Sequence, residues 1–151
     1  MSAARLFTRP GGQLVNSMFN DSPDAQAHQF CWVDLATADA TAAKSFYGGL
    51  FGWAVQDRRA GGGWFSAFAH GDAPFASLYQ LSRTQIGQGV PSHWTPYLST
   101  PNVDATATKA ADLGGQIIVP PHGVAGFARI SLISDPTGAL FGLWQEQHHK
   151  S

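Results

Sequence analysis

Hydrophobic and polar positions follow two periods along this chain, and the two recur in the same order. Residues 29–37 are rich in aromatic and β-branched side chains and predict a strand. Residues 40–50 then place Ala42, Ala43, Phe46, Tyr47 and Leu50 at helical spacing, which gives one apolar face. Thr37 or Asp39 can cap that helix, because a short side-chain oxygen satisfies the first exposed N–H groups. Gly48-Gly49 weakens its last turn. Short strands are predicted over 53–56, 64–69 and 74–81, with turns at 60–63 and 70–72.

A polar, glycine-rich stretch, 82–92, separates this pattern from its repeat. Residues 93–99 predict a strand, and Asn102 or Asp104 caps a helix running through Leu113. Gly114-Gly115 ends it, as glycine commonly does. Strands follow at 116–119, 128–134 and 139–145, with turns at 120–123 and at Asp135-Pro136-Thr137-Gly138.

Each half reads strand, helix, then three strands, so the prediction is an α+β domain made of two tandem modules. Neither half holds enough core alone, and the two are expected to pack together. The expected organisation is an N-terminal extension over 1–27, then a domain over 28–147 and a tail over 148–151. Within the domain, module one covers 28–81, a linker 82–92 and module two 93–147. The extension is set apart by its breaker clusters, Pro10-Gly11-Gly12 and Asn20-Asp21-Ser22-Pro23-Asp24.

Composition narrows the function classes. Hydrophobic residues are 44% and charged residues 13% of the 151, a balance that argues for a packed core rather than disorder. The net charge of -1 leaves no electrostatic footprint for nucleic acid or an acidic membrane surface. No apolar run is long enough to cross a bilayer, and no signal-peptide block follows Arg5 and Arg9. The expectation is a cytoplasmic protein with neither nucleic-acid nor membrane partners. The single cysteine, Cys31, cannot form an internal disulfide. It is expected to face the helix as a small buried hydrophobe.

The order of elements, with Trp32-Val33-Asp34-Leu35, Phe46-Tyr47, Leu50-Phe51-Gly52-Trp53, Leu113-Gly114-Gly115 and Asp135-Pro136-Thr137-Gly138, resembles the vicinal oxygen chelate superfamily. Glyoxalase I, extradiol dioxygenases and bleomycin-resistance proteins belong to it. The resemblance spans roughly residues 28–146. It implies two βαβββ modules forming a curved mixed sheet around a cleft, and a homodimer. This superfamily hosts several chemistries, so the fold alone does not name a reaction.

In metal-using members, four His, Glu or Gln ligands come from the first and last strands of each module. Aligning the two halves, Thr37 with Thr100 and Tyr79-Gln80 with Trp144-Gln145, puts Trp32, Ser77, Thr95 and Gly142 at those positions. Indole is only a donor and glycine has no side chain, so this set is not expected to hold a divalent ion. No His-x-His or His-x3-His pair lies within one predicted element, and His148-His149 reads as a solvated tail. No metal and no cofactor are expected.

Residues two apart on a strand share a face. The cleft is therefore expected to show Phe30, Trp32 and Asp34 on the first strand, with His93, Thr95 and Tyr97 on the matching one. Phe75, Ser77 and Tyr79 should come from one closing strand, and Leu140, Gly142 and Trp144 from the other. Phe30, Trp32, Phe75, Ser77, Tyr79, Thr95 and Trp144 are the candidate ligand-binding residues, an aromatic-walled set with a few polar groups. Gly142 and Ser77 would leave room there, unless Trp32 and Trp144 fill the space as core. Asp34, His93 and Tyr97 are the candidates for proton transfer.

Two functions follow. The first is binding of a small aromatic or amphipathic molecule in a metal-free cleft. The second is a lyase, isomerase or hydroxylase-type enzyme that uses a displaced metal or Asp34/His93 acid–base chemistry.

Overall fold

The computed structural model describes residues 27–60, 63–124 and 128–147. All but the last residue of the expected extension lies outside them, as do His148 and His149. The elements run β1 (Phe30–Thr37), α1 (Ala40–Phe51), β2 (Ala54–Ala60), β3 (Gly63–His70), β4 (Ala73–Gln80), α2 (Arg83–Gly87), β5 (His93–Ser99), α3 (Val103–Asp112), β6 (Gln116–Val124), β7 (Ala128–Ser134) and β8 (Leu140–Glu146). The fold is α+β. Its eight strands form one open mixed sheet in the order β2-β3-β4-β1-β5-β8-β7-β6.

The duplication extends to individual atoms. Asp39 caps α1 at φ -146°, ψ 94°, and its side chain accepts from Ala42 N. Asn102 caps α3 at φ -148°, ψ 97°, and accepts from Ala105 N. In both modules a glutamine at the end of the last strand accepts the first helical N–H. Gln80 Oε1 takes Ala40 N at 2.8 Å, and Gln145 Oε1 takes Val103 N at 2.9 Å. The N–H groups that a helix start leaves unpaired are thus met from within each module.

Three local readings change. Helix α1 continues through Gly48-Gly49 to Phe51 and stops at Gly52, whose φ of 71° is the left-handed conformation glycine tolerates. The segment between modules contains α2, closed by a capping box between Ser82 and Gln85. The expected turn at 120–123 is instead part of β6. That strand lies at the sheet edge, where proline is tolerated, and its ladder is interrupted around Pro120 and Pro121.

Alternation along each strand sorts side chains to the two faces. Leu35, Phe68, Ala76 and Leu78 face α1 and pack with Ala40, Ala43, Tyr47 and Trp53. Val103 and Ala107 of α3 pack with Ile133 and Leu143. Asp34, one residue from Leu35, therefore points to the other face, away from both helices.

Candidate functional site

The helix-free face holds a cavity of about 330 Å³, built on the four central strands. Strand register sets its contents. On β1, Asp34 lies opposite Ser77 of β4 and Thr95 of β5, and Trp32 lies opposite Tyr97. Tyr97 lies beside Gly142 of β8, and Ile130 and Leu132 of β7 lie opposite Trp144 and Gly142. Trp32, Asp34, Ser77, Tyr79, Thr95, Tyr97 and Trp144 all line the cavity. Trp32 and Trp144 stack on each other, with centroids 5.2 Å apart and planes at 27°, while Tyr97 meets Trp144 edge-on at 6.0 Å. The two tryptophans therefore form a wall and leave the space between the modules open.

A short polar relay crosses the floor. Trp32 Nε1 donates to Ser77 Oγ at 2.9 Å, and Ser77 Oγ donates to Asp34 Oδ1 at 2.6 Å. Asp34 borders the cavity but is otherwise enclosed by protein. Desolvation raises its carboxyl from 3.8 to about 6, opposed by the Ser77 hydrogen bond and by His93. Burial, then the Asp34 charge, pushes the phenols of Tyr97 and Tyr79 up as well.

Four expected residues lie elsewhere; one is Leu140, which opens β8 outside the lining. Phe30 is 71% exposed, because the β1–β5 register shifts between Phe30 and Trp32. A bulge there breaks the alternation that would have carried Phe30 into the cleft. Phe75 sits at a second shift, where β3 pairs Phe68 with Ala76 but Ala69 with Pro74. It turns to the helix side, with Trp53 at 4.8 Å and His70 at 5.1 Å. His93 opens β5 opposite Ala36 and is not among the lining residues; its Nδ1 lies 2.8 Å from the Pro91 carbonyl oxygen. Asp34 and His93 therefore share a face without meeting in the cavity.

Cys31 is exposed rather than buried, with its thiol raised to about 11 by desolvation and by Glu146. Gly142 does not leave room for a ligand, because a Cβ there would overlap the Tyr97 ring that fills the space.

Phe65, Val119, His122, Val124, Ile130 and Leu132 complete the lining and were not among the candidates. Period-two alternation over 128–134 contained the signal for Ile130 and Leu132. His122 was hidden by the expected turn. Its Nδ1 lies 3.0 Å from the Pro120 carbonyl oxygen, which can only accept, so Nδ1 carries the proton.

The superfamily's metal does not fit these residues. The four expected ligand positions hold an indole already donating to Ser77, two hydroxyls, and a glycine covered by a phenol ring. Divalent transition metals need imidazole, carboxylate or thiolate donors. Among the described residues no group of three or more His, Cys, Asp or Glu is placed to hold an ion.

A paired βαβββ sheet with an aromatic cavity over its seam defines the vicinal oxygen chelate fold. The chain belongs to the glyoxalase/bleomycin resistance protein/dioxygenase superfamily, whose family model matches residues 29–143. Its sequence is 38% identical over 120 residues to CFP32 of Mycobacterium tuberculosis, which bears a provisional glyoxylase name; the match covers 78% of this chain and 46% of that one. It is 33% identical over 130 residues to the anthracycline biosynthesis protein DnrV of Streptomyces peucetius, covering 76% and 46%. The chain thus spans less than half the length of these relatives. Among solved structures, a Streptomyces coelicolor methylmalonyl-CoA epimerase complex superposes with a TM-score of 0.60 at 17% identity, covering 81% of this chain and 99% of that one. Protein BH1468 of Bacillus halodurans gives 0.61 at 13% identity, covering 82% and 98%. These two likenesses concern the fold alone.

The raised Asp34 carboxyl makes a stability prediction. The unfolded chain ionises Asp34 near 3.8 and the folded chain near 6, so between those values the folded state holds the extra proton. Stability therefore falls as pH rises through that window and stays lower above it. Asp34→Asn should stabilise the protein at neutral pH by on the order of 1–3 kcal/mol, and the gain should vanish by about pH 4. Denaturant midpoints at the two pH values measure this; a variant no more stable than wild type at neutral pH would refute it.

Proposed function

We propose that this protein binds a small aromatic or amphipathic molecule in the cleft between its modules, without a metal at the superfamily's ligand positions. The observation that carries this reading is the cavity of about 330 Å³ walled by Trp32, Tyr97 and Trp144 over a floor of Asp34 and Ser77. Its size and its mix of aromatic walls with few polar groups match a small-molecule site. Stacking on aromatic rings supplies affinity with no metal. Titrating a panel of flat aromatic compounds should quench tryptophan emission saturably, and Trp144→Ala should weaken binding about tenfold or more. Absence of quenching across the panel, or unchanged affinity in the variant, would remove the proposal.

A second reading is acid–base catalysis by Asp34. Its support is a carboxyl raised to about 6 inside a cavity, near the pH at which a general base works best. Ser77 fixes one carboxylate oxygen, so the geometry is held for the other. His93 drops out as direct partner, since it does not line the cavity. The expected outcome is deuterium exchange from solvent into a carbonyl substrate at its α-carbon, lost in Asp34→Asn. Exchange that survives the substitution would sink this reading.

The protein is further proposed to be a cytoplasmic homodimer. No helix among the described residues is long and apolar enough to cross a membrane. Helix α1 leaves Phe46, Leu50 and Phe51 more than half exposed, an apolar face that a second copy would cover. Light scattering should give twice the chain mass. Phe46→Glu with Leu50→Glu should give monomers, and a wild-type monomer at high concentration would exclude the dimer.

A further inference from the structure

We infer that the cleft selects flat aromatic compounds that carry a positively charged N–H group, with that proton placed on the second carboxylate oxygen of Asp34. The inference rests on the cleft-binding reading and names the ligand class for it.

The hydrogen-bond inventory at Asp34 is lopsided. The donors beside it are consumed internally: the Trp32 N–H by Ser77, and the Ser77 O–H by Asp34 Oδ1. Asp34 Oδ2 has no hydrogen-bond partner among the described residues. Nor have the hydroxyls of Thr95 and Tyr97, although those residues are only 4% and 5% exposed. Across the cavity His122 gives its Nδ1 proton to the Pro120 carbonyl and so spends that donor internally as well. Buried polar groups in native proteins are normally paired, so the ligand group that completes Asp34 Oδ2, an oxygen that only accepts, is a donor.

Charge adds the sign. No lysine or arginine is among the lining residues, and neither described ion pair, Lys44–Asp57 or Arg129–Asp104, involves Asp34. A carboxylate in an aromatic enclosure with no lysine or arginine in its lining is costly unless a cation arrives with the ligand. A bare metal ion is a poor candidate, because among the described residues no group of three or more His, Cys, Asp or Glu gathers around Asp34 to hold one. An organic cation fits: its ring lies against the Trp32–Trp144 wall, whose π-faces attract positive charge, and its N–H reaches Asp34.

Two probes of one shape separate the terms. 4-Aminoquinoline is protonated at neutral pH, whereas 1-aminonaphthalene has the same outline and stays neutral. Calorimetry on the full chain should show the cation binding about tenfold tighter or more. Asp34→Asn should close that gap while still binding the neutral probe. The groups facing Asp34 are Ser77 and Tyr79 on β4, His93 and Tyr97 on β5, and His122 across the cavity on β6. Lowering the pH from about 8 to about 5 should weaken the cation and spare the neutral probe, as Asp34 gains its proton. Protonation of either imidazole would repel the cation too, but that effect persists in Asp34→Asn and can be subtracted. The wild-type titration needs no variant, so a misfolded Asp34→Asn would not shelter the idea. Equal affinity for the two probes, or a gap that survives Asp34→Asn, overturns the inference and leaves the cleft reading standing. If neither probe binds, the cleft reading falls and takes the inference with it.

Discussion

Everything at the cavity hangs on the antiparallel seam between β1 and β5. Each of these strands also carries the closing strand of its own module in parallel, β4 on β1 and β8 on β5. Side-chain alternation is therefore locked across four neighbouring strands at once. A slip of β1 by one residue would send Trp32 and Asp34 into the helix layer and bring Leu35 to the cleft, and a slip of β5 would turn Thr95 and Tyr97 away in the same manner. The apolar packing of Leu35 and Leu78 under α1, and of Leu143 under α3, opposes that slip. The core on one face thus sets the register that presents the site on the other.

The repeat was legible because it rests on local chemistry. The two caps and the strong turn at Asp135 are determined by neighbouring residues. At that turn the Asp135 side chain accepts from Thr137 N at 2.8 Å and from Ala139 N at 3.0 Å, while Gly138 takes a φ of 96°. Alternation also located most of the cleft residues on β1, β4, β5 and β8. It failed at Phe30 and Phe75, each beside a register shift, and at His93 and Leu140, each the first residue of its strand. A bulge adds one residue to one strand of a pair, and no single-strand pattern reveals where that occurs. His122 escaped for a related reason: Pro120 and Pro121 read as a turn, yet an edge strand tolerates both.

Gly142 illustrates a different limit. A glycine at a ligand position promised empty space. The space is taken by Tyr97, one strand away, whose ring lies where a Cβ would be. Loss of a side chain from a pocket says nothing about volume until the neighbour across the ladder is known. Here Gly142 and Tyr97 act as one unit, and the cavity that remains lies against Trp32 and Trp144 rather than over Gly142.

The packing around Asp34 does not favour a charge there. Its neighbours raise its carboxyl to about 6, which means the folded protein would be more comfortable with a neutral group there. Ser77 offsets part of this with one short hydrogen bond, and Trp32 polarises Ser77 in turn. A relay that could have ended on a second hydroxyl ends instead on a carboxylate with one oxygen facing the cavity. Residues that lower stability where nothing structural requires them mark functional positions more reliably than well-packed ones. On that argument the proposed cleft ligand would take its contact area from the aromatic wall and its selection from Asp34.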